Sequence, residues 1–188
     1  MINQKPLAGV KVVEFEGIGP CPLAGMMLAD MGAEVTLVGR KVSNKNAAEI
    51  APQETAQAFY HRGKKSILTD LKQPEGVALA LKLAAQADIL IEGFRPGVME
   101  RLGLGPDVCL DLQPKLIYGR LTGWGQTGPL AQAAGHDPNY IALSGAMYYG
   151  ARPNHKPTAP LTLAGDVAGG TMMLLWGVMC ALWQAQAS

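Results

Sequence analysis

The sequence predicts an α/β protein: a Rossmann-like parallel sheet with helices on both faces, followed by a long C-terminal helix. Three observations carry this. Short apolar, β-branched runs alternate with helix-length segments, as in chained β-α-β units. Prolines stand where helices should start and a glycine where the first should end. The chain then closes with an apolar run, residues 171–183, that carries no charge.

Residues 9–15, Gly-Val-Lys-Val-Val-Glu-Phe, form the first expected strand, a short run suited to burial on both faces. Gly17 and Gly19 turn the chain, and Pro20 suits a helix start because its missing N–H would have no helical partner. Residues 23–31 read as a helix of small residues with Gly32 at its C-cap. Residues 33–38 give the second strand and complete a β-α-β unit. The pattern repeats with a strand at 66–70, a helix at 74–87 and a strand at 88–92. Short helices are expected near 96–102 and 106–112, then a strand at 115–121. Beyond 125 the character changes to a short helix at 137–144, a polar loop at 151–160, and a mainly helical stretch over 163–187. We therefore expect one N-terminal-type α/β domain over 1–188. Its core covers about 7–125, and the site with the long helix occupies about 126–188.

Composition narrows the function. The chain is 188 residues long, 48% hydrophobic and 16% charged, enough to bury a substantial core. A net charge of +1 gives no general attraction to nucleic acid or to anionic membranes. No basic stripe interleaved with aromatics is present, so no nucleic-acid partner is expected. The three cysteines, Cys21, Cys109 and Cys180, are widely spaced and form no zinc-type cluster, so no metal site is expected. Their number and spacing fit a reducing, cytoplasmic compartment. The N-terminus lacks a signal-peptide core, and the 171–183 run is too short to span a bilayer, so no membrane partner is expected.

The first β-α turn, Glu16-Gly17-Ile18-Gly19-Pro20, is not the dinucleotide fingerprint, since the third glycine is missing. The second strand ends at Gly39-Arg40 instead of at an acid for a ribose hydroxyl, which disfavours NAD and suits a phosphate. No GxxxxGK[ST] is present, which argues against ATP or GTP. More cations follow near strand ends, in Tyr60-His61-Arg62-Gly63-Lys64-Lys65 and in Arg95 and Arg101. Each alone could be an ordinary surface residue. Together they lie where open α/β sheets bind ligands, and a polyphosphate is the matching chemistry.

The densest chemistry lies in Gly135-His136-Asp137-Pro138-Asn139-Tyr140, just after the loop Gly123-Trp124-Gly125-Gln126-Thr127-Gly128-Pro129. A second acid follows in Ala164-Gly165-Asp166-Val167-Ala168-Gly169-Gly170. Imidazole and carboxylate brought to one carbon are what proton transfer requires. The residues alone leave plainer roles open. Asp137 and Asp166 each precede a helix and could serve as caps, and a histidine after glycine is commonly a loop residue. His61 and His155 read as surface residues.

Taken in order, these segments resemble the family III CoA-transferases, and within them the α-methylacyl-CoA racemases. The resemblance rests on Pro6-Leu7-Ala8-Gly9-Val10-Lys11-Val12-Val13-Glu14, Leu28-Ala29-Asp30-Met31-Gly32-Ala33-Glu34-Val35 and Arg62-Gly63-Lys64-Lys65-Ser66. It also rests on Phe94-Arg95-Pro96-Gly97-Val98-Met99-Glu100-Arg101-Leu102-Gly103, the 123–129 loop and the segments around His136 and Asp166. It implies an acyl-CoA thioester as substrate, with CoA part of that substrate and no separate cofactor. The matching positions Arg40, Lys64, Arg95 and Arg101, with Asp137 and Tyr140, are then the CoA-binding candidates.

His136 and Asp166 are the implied catalytic pair, exchanging the α-proton through an enolate from opposite faces. Imidazole titrates near pH ~6.5 and can act either way at neutral pH. An aspartate, ordinarily near ~3.9, needs burial to become a competent partner. Backbone N–H groups around 165–169 could stabilise the enolate oxygen. The family also contains transferases in which the acid matching Asp166 is a nucleophile, and a non-catalytic CoA-binding module is a third reading.

The resemblance further implies a longer protein, with a second domain, an interlocked homodimer and a later glutamate that pairs with the histidine. No residue up to Ser188 matches that glutamate, so the expectation is a truncated first domain or a natural short form. Either way the apolar 171–183 helix lacks some cover, and self-association is expected.

Overall fold

The computed structural model describes residues 5–40, 59–158 and 163–187. Five strands form one parallel sheet: β1 (Lys11–Phe15), β2 (Glu34–Arg40), β3 (Lys65–Thr69), β4 (Ile89–Glu92) and β5 (Ile117–Arg120). Their order is β3-β2-β1-β4-β5. The chain works outward from β1 in one direction, then returns to place β4 on β1's other side. The crevice beyond the carboxyl ends of β1 and β4 is therefore the switch point where ligands bind in such sheets. Register follows from the apolar pattern: Val12 pairs with Val35 and Ile89, and Val13 with Leu90.

Alternate residues of these strands feed two cores. Val12, Val35, Ile89 and Ile91 face one layer, with Cys21, Ala24 and Leu28 of α1 (Pro20–Asp30). Val13, Phe15, Val38 and Leu90 face the other, with Ala80 and Ala84 of α2 (Pro74–Ala84). Met99 of α3 (Val98–Arg101) and Cys109 of α4 (Pro106–Leu112) close that second layer. All four residues of β4 are buried, which is why it reads as an unbroken apolar run ending in one acid. The fold class expected from the sequence is the one observed.

Helix boundaries follow the punctuation. Prolines occupy the first turns of α1, α2 and α4. Gly32, just after α1, sits at φ 103°, a conformation that residues with a side chain rarely adopt. The helix expected over 74–87 ends at Ala84, and α3 is shorter than 96–102. The last two residues of the loop expected over 151–160 lie outside the described residues.

The last third holds α5 (Asp137–Leu143), a 3₁₀ turn (Ala146–Gly150), a π-helical segment (Leu163–Met172) and α6 (Met173–Ala187). The π-helix was not expected. In it the hydroxyl of buried Thr171 donates to Pro20 O at 2.9 Å and to Asp166 O at 3.4 Å. These bonds tie the wide turn to the start of α1.

The π segment and α6 run on as one 25-residue helix, Leu163–Ala187. By length and composition alone it is long and apolar enough to cross a membrane, a test that the core helix of a soluble protein also meets. One side of it packs on the sheet through Leu174, Leu175, Val178, Met179 and Leu182. Gly119 of β5 makes room for this: a Cβ there would come within 3.0 Å of Leu174 Cδ1. The opposite side leaves Met173, Trp176 and Trp183 exposed.

Candidate active site

A cavity of about 620 Å³ opens at the carboxyl edge of the sheet, at the β1/β4 switch point. This is within the usual size range of small-molecule sites. Its walls are the β1–α1 turn with Ile18, Pro20 and Cys21, the segment 93–96 after β4, and the segment 121–123 after β5. The start of α5 and the π-helix complete it, so three strand-end connections and two helical segments meet on one edge.

His136 and Asp166 both line this cavity. His136 is the N-cap of α5, in extended backbone at φ −140°. Its N–H donates to Asn139 Oδ1 at 2.9 Å, which fixes where the imidazole leaves the backbone. Asp166 lies in the first turn of the π-helix. Burial holds its carboxyl above the usual carboxylate range; a hydrogen bond from the Asp137 backbone N–H works against this, and the Asp137 charge adds to it more weakly. A charged His136 imidazole pulls the Asp166 carboxyl in the opposite direction. The structure thus brings together two residues that stand 30 positions apart in sequence.

Asp137 is placed differently from the CoA contact expected of it. Its side chain is fully buried, and Oδ2 accepts the N–H groups of Gly165 at 2.6 Å and Asp166 at 2.8 Å. A carboxylate closed in by backbone has no face left for a cofactor-sized ligand. It is also no simple cap of its own helix, because both donors belong to the π segment.

Tyr140 lines the cavity and packs edge-on against Trp124, with ring centroids 4.9 Å apart. Burial first, then the Asp166 and Asp137 charges, raise its hydroxyl pKa. The glycines around it are spatial requirements. A Cβ on Gly135 would lie 2.7 Å from Tyr140 Cε1 and from Trp124 Nε1. A Cβ on Gly165 would lie 3.2 Å from the Tyr140 ring and from Asp137.

Of the expected CoA-binding cations, Arg95 is exposed and lines the cavity. Arg101 is exposed on α3 and borders a second groove with Lys72 and Leu71. Arg40 is exposed at the carboxyl end of β2, its N–H bound to Glu16 Oε2 at 2.7 Å. Lys64 is the correction. Its ammonium lies 2.8 and 2.6 Å from the two carboxylate oxygens of Glu14 and 2.9 Å from Pro22 O, and neither charged side chain is exposed. A lysine sealed against a strand carboxylate cannot also hold a phosphate.

Two buried strand carboxylates outside the cavity lining are not evident from the sequence. Burial pushes the Glu14 carboxyl up to about 7 against the pull of Lys64. The same cause raises Glu92 to about 7, although its Oε2 accepts the Phe94 N–H at 2.7 Å. Arg120, 3.9 Å from Glu92, also binds Glu100 at 2.6 Å and Gln126 at 2.8 Å, bracing the glycine-rich loop. A single acid in each of the apolar runs of β1 and β4 was the available signal, because such a residue must find a partner or stay neutral.

The family model described as CoA-transferase family III matches residues 7–188. Mouse α-methylacyl-CoA racemase is 45% identical over 182 residues, covering 97% of this chain and 45% of the mouse protein. Human succinyl-CoA:glutarate CoA-transferase is 37% identical, over 90% of this chain and 40% of its own length. Among solved structures, a hypothetical protein from Mycobacterium tuberculosis superposes with a TM-score of 0.85 at 37% identity, covering 98% of this chain and 53% of that one. A CaiB/BaiF family protein from Brucella suis gives the same TM-score, 0.85, at 31% identity, covering 98% of this chain and 51% of the other. The chain belongs to CoA-transferase family III. It spans about half the length of the relatives it matches.

Proposed function

We propose that this chain carries the thioester site of an α-methylacyl-CoA racemase-type enzyme, with His136 and Asp166 as its proton-transfer pair. The observation that carries the reading is that both groups, held by different elements, meet on one cavity at the sheet switch point. The similarity to the mouse and human racemases favours this chemistry.

A thioester carbonyl acidifies its α-carbon. One base removes the α-proton, the electron pair moves onto the carbonyl oxygen as an enolate, and the group on the other face returns a proton to the same carbon. The raised Asp166 carboxyl suits this exchange better than an ordinary surface aspartate would. Arg95, at the cavity, and Arg101, by the neighbouring groove, suit the CoA phosphates.

Incubation with a 2-methylacyl-CoA in deuterated water, followed by NMR at the α-carbon, tests the reading. Deuterium incorporation that His136→Ala and Asp166→Ala each confine to one enantiomer supports it. The similarity to the human glutarate CoA-transferase favours a second reading, with Asp166 as acyl acceptor. That reading requires CoA transfer to a dicarboxylate without α-deuteration. Binding of CoA esters with neither reaction would leave a non-catalytic module.

We also propose that a second copy covers the exposed side of α6, as the family resemblance implies. Met173, Trp176 and Trp183 are 56%, 65% and 77% exposed there. Light scattering at micromolar concentration should give a dimer mass, reduced to that of a monomer by Trp176→Glu. A monomer in the wild-type chain would contradict the proposal.

A further inference from the structure

We propose that Asp137 is a positioning residue for proton transfer: its buried carboxylate pins the π-helix to α5 and so sets where Asp166 stands opposite His136. The inference rests on the reaction proposed above, and its geometry is independent of it. Asp137 is the first residue of α5, directly after the His136 cap. Its Oδ2 receives the N–H groups of Gly165 and of Asp166 itself, at 2.6 and 2.8 Å. One carboxylate therefore stands covalently next to one member of the pair and is hydrogen-bonded to the backbone of the other. Charge-assisted bonds of this length are among the stronger hydrogen bonds in proteins. A small rotation of either helix would break both.

The second oxygen distinguishes this from a simple structural clip. Asp137 Oδ1 is buried and has no hydrogen-bond partner among the described residues. Part of the charge is left uncompensated, and it acts on what is nearest. Around Asp166 the titratable neighbours are His136, Asp137 and Tyr140 of α5, with Cys21 of α1 and Arg95 on the same cavity wall. Burial keeps the Cys21 thiol neutral. The Asp137 carboxylate charge thus favours the protonated form of Asp166, while the Asp137 backbone N–H, the larger of the two effects, and the imidazole oppose it. The clamp and the charge are two effects of one side chain, and they can be separated.

Two variants of the full chain do so. Asp137→Asn keeps an acceptor for the two N–H groups and removes the charge. Carboxyl-selective ¹³C NMR should then show the Asp166 midpoint falling, and the pH profile of α-proton exchange should move down with it. Asp137→Ala removes the clamp, and exchange should fall at least ~100-fold with CoA-ester affinity changed less than ~3-fold, since displacement of a reacting group by about 1 Å has this order of effect. An unchanged Asp166 midpoint in Asp137→Asn, or full exchange in Asp137→Ala, would overturn the inference. If the wild-type chain exchanges no proton, the reaction reading fails by itself. The NMR midpoint then still decides the role of Asp137, with a downward shift supporting it and an unchanged midpoint refuting it.

Discussion

Replacing Lys64 by methionine should destabilise the protein in a strongly pH-dependent way. In the wild type the ammonium faces both Glu14 oxygens, at 2.8 and 2.6 Å, and neither side chain is exposed. Methionine has a similar volume but leaves a buried carboxylate without its cation, a loss of about 3–5 kcal/mol when the charge cannot escape. Glu14 can escape by taking a proton. Burial already raises its pKa from 4.5 to about 7 with Lys64 pulling it down, so the value must rise further once Lys64 is gone.

An acid with a raised folded-state pKa stabilises the fold below its unfolded value and loses that stabilisation as pH rises through the folded one. At pH 6 the carboxyl is mostly protonated in both proteins, and the substitution should cost about 1 kcal/mol, the scale of a lost hydrogen bond. Between pH 7 and 8.5 the variant alone should keep losing about 1.4 kcal/mol per pH unit, bringing the cost to about 3 kcal/mol. Urea unfolding followed by tryptophan fluorescence at the two pH values measures this. Glu14→Gln combined with Lys64→Met should flatten the dependence and recover most of the loss. A cost equal at pH 6 and 8.5, or a double variant no better than the single one, would refute the reasoning.

Glu92 gives a related expectation. Its carboxyl is raised to about 7 chiefly by burial, so it opposes folding as pH rises from about 4.5 through 7. Glu92→Gln should reduce the fall in Tm between pH 5.5 and 8 in thermal unfolding. Gly165→Ala should separate activity from stability: the new Cβ would meet Asp137 and the Tyr140 ring at 3.2 Å, costing about 1–3 kcal/mol in urea unfolding. Because the π-helix must move away from α5 to relieve that contact, α-proton exchange should fall more than stability does.

The sheet and its helices were legible because their determinants are local. Buried parallel strands need short apolar runs, and the prolines of α1, α2 and α4 mark helix starts that no tertiary contact overrides. The π-helix was not legible. Its hydroxyl bond from Thr171 to Pro20 O joins residues 151 positions apart, and a wide helical turn leaves the apolar pattern unchanged.

Lys64 shows the same limit. It stands among cations in 60–65 that look alike in sequence, and it alone meets Glu14, since Gly25 leaves the space that the Glu14 carboxylate fills. At the site, the residue types and the nearby glycines could be read. Asp137 could not be placed, because a carboxylate before a helix looks the same whether it caps, binds a ligand or reaches across to a second helix.

The most direct test of two-base proton transfer uses each enantiomer of an α-deuterated 2-methylacyl-CoA separately. Loss of deuterium is followed in wild type, His136→Ala and Asp166→Ala. The wild type should wash out deuterium from both enantiomers and interconvert them. Each variant should keep wash-out from one enantiomer, a different one in each case, and lose interconversion. Equal effects of both substitutions on both enantiomers would contradict it.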